Sequence, residues 1–201
     1  MQMNSARRSN PERSAQMRAR LIETARRLFV VHGFGATGTP AIVAGAGVTR
    51  GALYHHFPDK QAIFRAVVEA ESAAVAQTIE TSGAPGMSAL ARLLAGADAY
   101  VRAMQADGRV RLLLVEGPAV LGRDEMRRID GGNGDASLRA GLEEAMAEGA
   151  LPPVPVATLA SLLSAMFERA AMDVAEGAAA EDVLVVIRRI IRGLAPSAAG
   201  A

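Results

Sequence analysis

Arg50, Tyr54 and His55 stand at i, i+4 and i+5 in the stretch 44–64, AGAGVTRGALYHHFPDKQAIF, with Thr49 just before them and Lys60 after. An arginine fork pairs bidentately with a guanine edge, whereas a phenol hydroxyl or an imidazole N–H more often meets a phosphate. Thr49 and Lys60 fall where helices should begin, and a helix N-terminus favours an anion through its free N–H groups and its dipole. The chemistry in reach is therefore recognition of a phosphate backbone and of base edges in a major groove.

Such groups work only if short elements hold them in place. Gly47-Val48 permits a sharp reversal, Thr49 caps the helix that follows, and Leu53 and Phe57, spaced i, i+4, face inward and leave Arg50, Tyr54 and His55 outward. That is a helix-turn-helix layout. Upstream, Leu21, Ile22, Ala25, Leu28 and Phe29 line one helix face that Gly33 should end. The sequence predicts a second helix over about 40–46, capped by Thr37 or Thr39 with Pro40 in its first turn, and carrying Gly45 at a cost of roughly 1 kcal/mol relative to alanine. Asp59 should cap a long helix to about 81, and SGAPGMS at 82–88 reads as a linker. Beyond it the pattern predicts helices to about 105, then over about 109–116, 123–129, 136–148, 156–176 and 180–194, with Pro118 breaking or kinking the chain. The expected fold is all-α, with about nine helices. The expected divisions are a disordered basic arm at 1–12, a helix-turn-helix domain at 13–58, a connecting helix at 59–82, a second helical domain at 83–195 and a disordered tail at 196–201.

Charge divides along the same line. Residues 1–65 hold ten Lys/Arg against three Asp/Glu, and the remainder twelve against eighteen, so the net +1 hides a basic head and an acidic body. A basic head gains by counterion release on a polyanion, and an acidic body is repelled from it. The absence of cysteine suits a reducing cytoplasm. No apolar run reaches the roughly 20 residues of a membrane span, and the first twenty residues lack the apolar centre of a secretory signal. Cytoplasmic localisation without membrane contact is the expectation.

His55-His56 cannot chelate a metal together, because adjacent helical residues diverge by about 100°. With only His32 elsewhere, and with no GxxxxGK, HExxH, cysteine nucleophile or glycine fingerprint, neither metal, cofactor nor enzymatic activity is expected.

Residues 13–64 resemble the DNA-binding domain of the TetR family of transcriptional repressors, through AlaArgArgLeuPhe at 25–29, His32-Gly33-Phe34 and the run from Ala46 to Lys60. The resemblance implies an all-helical homodimer with a helix-turn-helix head and a C-terminal domain that dimerises and binds a small effector. Carried over by position, Thr49, Arg50, Tyr54, His55 and Lys60 correspond to the family's DNA contacts and Gly51 to its close-approach position. Thr37-Gly38-Thr39-Pro40 departs from the family's paired threonines, so Thr37 or Thr39 inherits the cap-threonine phosphate contact. Gly45 stands where an arginine or lysine is common.

In the C-terminal domain an effector cavity is expected to draw on Tyr100, Met104, Leu113, Glu116, Val120, Met126, Met166, Phe167 and Met172, since Tyr100 and Met104 share a face and methionine adapts to varied shapes. Leu159, Leu162, Leu163, Met166, Phe167 and Ala170, with Ile187, Ile190, Ile191 and Leu194, give the last two helices apolar faces broad enough for core and dimer seam. The leading expectation is a ligand-responsive regulator of a double-stranded operator. The competing one is a helical small-molecule-binding or scaffolding protein with weakened DNA affinity.

Overall fold

A computed structural model describes residues 10–131 and 134–196; among them ten α-helices and one π-helical segment form, with no strand. Contacts between residues divide between Val68 and Glu69, inside the fourth helix, into a head and a larger second unit.

In the head, α1 (Asn10–Ala36) breaks at Gly33, whose φ of 78° and ψ of 167° only glycine holds without strain. Asn10, Pro11 and Glu12, expected in the arm, are helical; residues 1–9 of the expected arm, and 197–201 of the expected tail, lie outside the described residues. Leu21, Ala25 and Phe29 recur every four residues on α1 and are fully buried. α2 (Thr39–Ala46) ends at Gly47, whose left-handed φ of 60° turns the chain while its N–H and that of Val48 close onto the carbonyls of Ala44 and Val43. α3 (Arg50–His56) follows, with the Thr49 hydroxyl accepting from the Ala52 N–H at 3.2 Å. α4 (Lys60–Glu80) is capped by Asp59, whose Oδ1 accepts from the Ala62 N–H at 2.7 Å. Leu53 and Phe57 turn inward as their spacing requires, and Phe29, Phe34 and Phe64 meet with ring centroids 5.0–5.9 Å apart.

The second unit contains α5 (Ala89–Met104), a π-helical stretch (Arg111–Glu116), α6 (Gly117–Leu121), α7 (Arg123–Gly131), α8 (Gly134–Ala147), α9 (Val156–Ala175) and α10 (Ala180–Gly193). The expected break at Pro118 takes a different form. The proline lacks the N–H for an α-helical bond, the preceding turn widens to the π pattern, and α6 restarts with Pro118 in its first turn, which accounts for the helix beyond nine. Gly117 is required there, because a Cβ would come within 2.9 Å of the Leu112 carbonyl oxygen and of Met126 Sδ. Val101, Leu142, Leu163 and Leu184, from four helices, form the centre of this unit's core. Two ion pairs pin its periphery: Arg109 Nε meets Glu71 of α4 at 2.7 Å with both side chains largely buried, and Arg188 Nε meets Asp98 at 2.9 Å.

Candidate nucleic-acid interface and ligand cavity

Of the head residues expected to touch DNA, α3 and its cap present Thr49, Arg50, Gly51, Tyr54 and His55 at the surface. The Arg50 guanidinium lies over the Tyr54 ring, 5.5 Å from its centroid, so the two side chains share one outward patch. Thr39, the first residue of α2, joins them: its hydroxyl and then Arg50 hydrogen-bond the Tyr54 phenol and hold its pKa below the usual 10.0. Gly51 has only the Thr49 hydroxyl near a would-be Cβ, at 4.0 Å, so nothing inside the protein demands a glycine and the space it leaves opens outward. The His55 and His56 rings stand edge to face at 5.3 Å.

Two residues sit differently from the expectation. Thr37 is only 2% exposed, and its hydroxyl donates to the carbonyls of Gly33 at 2.7 Å and Leu28 at 3.2 Å. It closes the end of α1 and is withdrawn from any surface contact. Nor does either threonine cap α2, since the cap position is Gly38, in an extended conformation with no side chain to offer. Lys60 donates to the Phe34 carbonyl at 2.7 Å and rests 4.1 Å from the centroid of the Phe34 ring, so it ties α4 to the end of α1 and retains two donors for other use. Gly45 has a packing reason: a Cβ there would lie 2.9 Å from Thr24 Cγ2, where α2 crosses α1.

The second unit contains a cavity of about 1410 Å³ that is open to solvent. Tyr100, Met104, Leu113, Met126, Phe167 and Met172 line it; Glu116, Val120 and Met166 do not. Glu116 is turned by the π-helical stretch toward Arg111, five residues back, at 2.8 Å. Met166 packs on the hydrophobic core, one residue out of phase with Phe167. The lining also includes Ser72, Asp130, Ser161, Ser164 and Glu168, none singled out from the sequence. Ser161, Ser164 and Glu168 recur at i, i+3, i+7 along α9, a helical spacing that places them on one face. Burial first, then the carboxylates of Glu168 and Asp130, push the Tyr100 hydroxyl's pKa well above its ordinary value. Ser72, on α4, places its hydroxyl 3.4 Å from Asp130 Oδ1.

Comparison with known proteins adds to this geometry. The HTH-type transcriptional repressor AcnR of Corynebacterium efficiens is 32% identical over 72 residues, which are 36% of this chain and 38% of that protein. The HTH-type transcriptional regulator TtgR of Pseudomonas putida is 39% identical over 62 residues, 31% of this chain and 30% of that protein. The chain thus matches well under half the length of these curated relatives. A solved TetR-family transcriptional regulator from Pectobacterium atrosepticum is similar throughout, with a TM-score of 0.73 and 28% identity over 94% of this chain and 98% of that one. Residues 21–67 match the family described as bacterial regulatory proteins, tetR family, and residues 90–195, more than half of the chain, match the tetracyclin repressor-like C-terminal domain. With the head and the second unit each assigned to the same group of regulatory proteins, the chain belongs to the TetR family.

Proposed function

We propose that this chain is a ligand-responsive, DNA-binding transcriptional regulator, a repressor that a small molecule releases from its operator. The observation that carries the reading is the outward patch of α3, where Arg50 and Tyr54 share a surface beside the open position Gly51 and the Thr49 cap. Arg50 reads a base edge, and Thr39, Thr49, Tyr54, His55 and Lys60 supply backbone contacts. Family membership, and relatives named as repressors, support the same reading.

The working form is a homodimer in the cytoplasm, and burial separates the two uses of the last helices. On α9 and α10, Leu163, Phe167, Ile187 and Ile191 are buried, while Leu162, Val185, Val186 and Ile190 are 43–65% exposed, an apolar surface suited to a second copy. A two-fold dimer presents two α3 helices to an operator with two-fold repeated half-sites about 34–36 Å apart. Effector action runs through α4, whose Glu71 and Ser72 hold Arg109 and Asp130 in the second unit and whose first turn holds Lys60 in the head. To turn operator occupancy from nearly full to nearly empty, the ligand must prefer the released arrangement by about 10⁴-fold.

The competing role as a scaffold drew on Gly38 and Gly45; Gly38 stands at the cap position of α2, and the close approach to Thr24 gives Gly45 a packing role. The test is a salt-dependent mobility-shift titration of the full-length dimer on its own upstream DNA. Arg50→Ala should weaken binding by about 1–3 kcal/mol with the fold intact; equal affinity of the two proteins refutes the assignment.

A further inference from the structure

From residue 69 onward the chain contains only two aromatic side chains, Tyr100 and Phe167, and both line the cavity, with ring centroids 5.8 Å apart. Asp130 and Glu168 line it as well. Tyr100 is largely buried, and among the described residues no partner hydrogen-bonds its hydroxyl. We propose that this corner of the cavity selects an organic cation, a protonated amine or quaternary ammonium on an aliphatic body, held between the two rings and the two carboxylates; this rests on the reading of the cavity as an effector site.

Aromatic faces attract a cation through their quadrupole, and the two carboxylates, both exposed, add negative charge beside them. Burial, and after it the same two carboxylates, raises the pKa of the Tyr100 hydroxyl. Arginines also border the cavity, but Arg92 is engaged by Glu144 and Arg127 by Asp124, while Arg123 and Arg139 are exposed. The rest of the wall suits an aliphatic body: Leu93, Leu138 and Leu142 are large and apolar, and Leu93 and Ile79 pack closely onto Gly141 and Gly96. Because Asp130 also faces Ser72 of α4, a cation drawn to it acts at the same carboxylate that holds that helix.

The experiment titrates the full-length protein, without DNA, with decyltrimethylammonium, decanol and decanoate by calorimetry and by melting temperature. The ammonium should bind at least tenfold tighter than the other two. In Asp130→Asn/Glu168→Gln that preference should shrink tenfold or more while decanol binding is unchanged. Glu168→Gln alone, at an exposed position, serves if the double variant does not fold, and should lose part of the preference. Equal or tighter binding of decanol or decanoate, an unaltered preference in the variants, or no saturable ammonium binding overturns the proposal. A mobility shift on the same preparation keeps the two readings apart: loss of DNA binding refutes the regulator and leaves the cation site standing, and the reverse holds for a cation failure.

Discussion

Replacing Gly45 by alanine sets two effects against each other. Alanine gains about 1 kcal/mol over glycine in a helix through lower backbone entropy cost. Its Cβ, however, would stand 2.9 Å from Thr24 Cγ2 and 3.9 Å from Leu28 Cδ1, and Thr24 is buried, so the methyl has nowhere easy to go. Forcing one carbon into a packed contact costs about 1–3 kcal/mol. Gly45→Ala should therefore range from neutral to about 2 kcal/mol destabilising. Thr24→Ser removes the offending methyl and keeps the hydroxyl that accepts from Arg27 at 3.4 Å. In that background the alanine should stabilise by about 1 kcal/mol, giving a coupling of about 1–3 kcal/mol between the two sites. Urea unfolding of the four proteins, at one protomer concentration and followed by circular dichroism, measures the cycle. If Gly45→Ala changes stability equally in both backgrounds, within about 0.5 kcal/mol, the contact does not explain the glycine.

Two further expectations follow from burial. Leu162→Glu, on a residue 65% exposed in the single chain, should leave each protomer folded but give a monomer by light scattering at a micromolar concentration where the proposed dimer of the parent should persist; an unchanged dimeric mass removes α9 from the seam. Tyr100 has a raised folded-state pKa against an ordinary 10.0, so its stabilising contribution is intact below that value and is lost as pH rises through the folded value, the unfolded chain giving up the proton first. Tyr100→Phe should remove that alkaline loss in pH-dependent melts, and identical alkaline slopes in the two proteins would refute the burial argument.

The head was the most legible part of the sequence because its signals are local. A left-handed glycine, a threonine cap and an apolar pair four apart fix α3 within eleven residues, and Gly47, Thr49, Leu53 and Phe57 take those roles. The burial of Thr37 and the seat of Lys60 on Phe34 were not legible, because their partners, Gly33 and Leu28 for one and Phe34 for the other, are set by how the chain folds back after the Gly33 break. In the second unit, helical phase was readable where the helix is regular, as for Tyr100 and Met104. It failed around Glu116 and Val120, where the π-helical stretch adds a residue to the turn and changes which side chains face inward. Asp130 could not be placed at the cavity because its neighbour Ser72 lies 58 positions away, a separation no periodicity spans.

Lys60 is the only lysine in the chain, and its ammonium is seated on Phe34 within the head. Amine-directed reagents therefore have one side-chain target besides the chain's α-amino group, and it lies beside the groups proposed to read DNA. Coupling the protein to a sensor surface through amines would tether it by its reading end and obscure the binding to be measured. Acylating the same nitrogen would erase its charge, loosening the join between α1 and α4 without altering any residue of α3. Immobilised binding measurements on this protein are better made with the DNA attached and the protein free in solution.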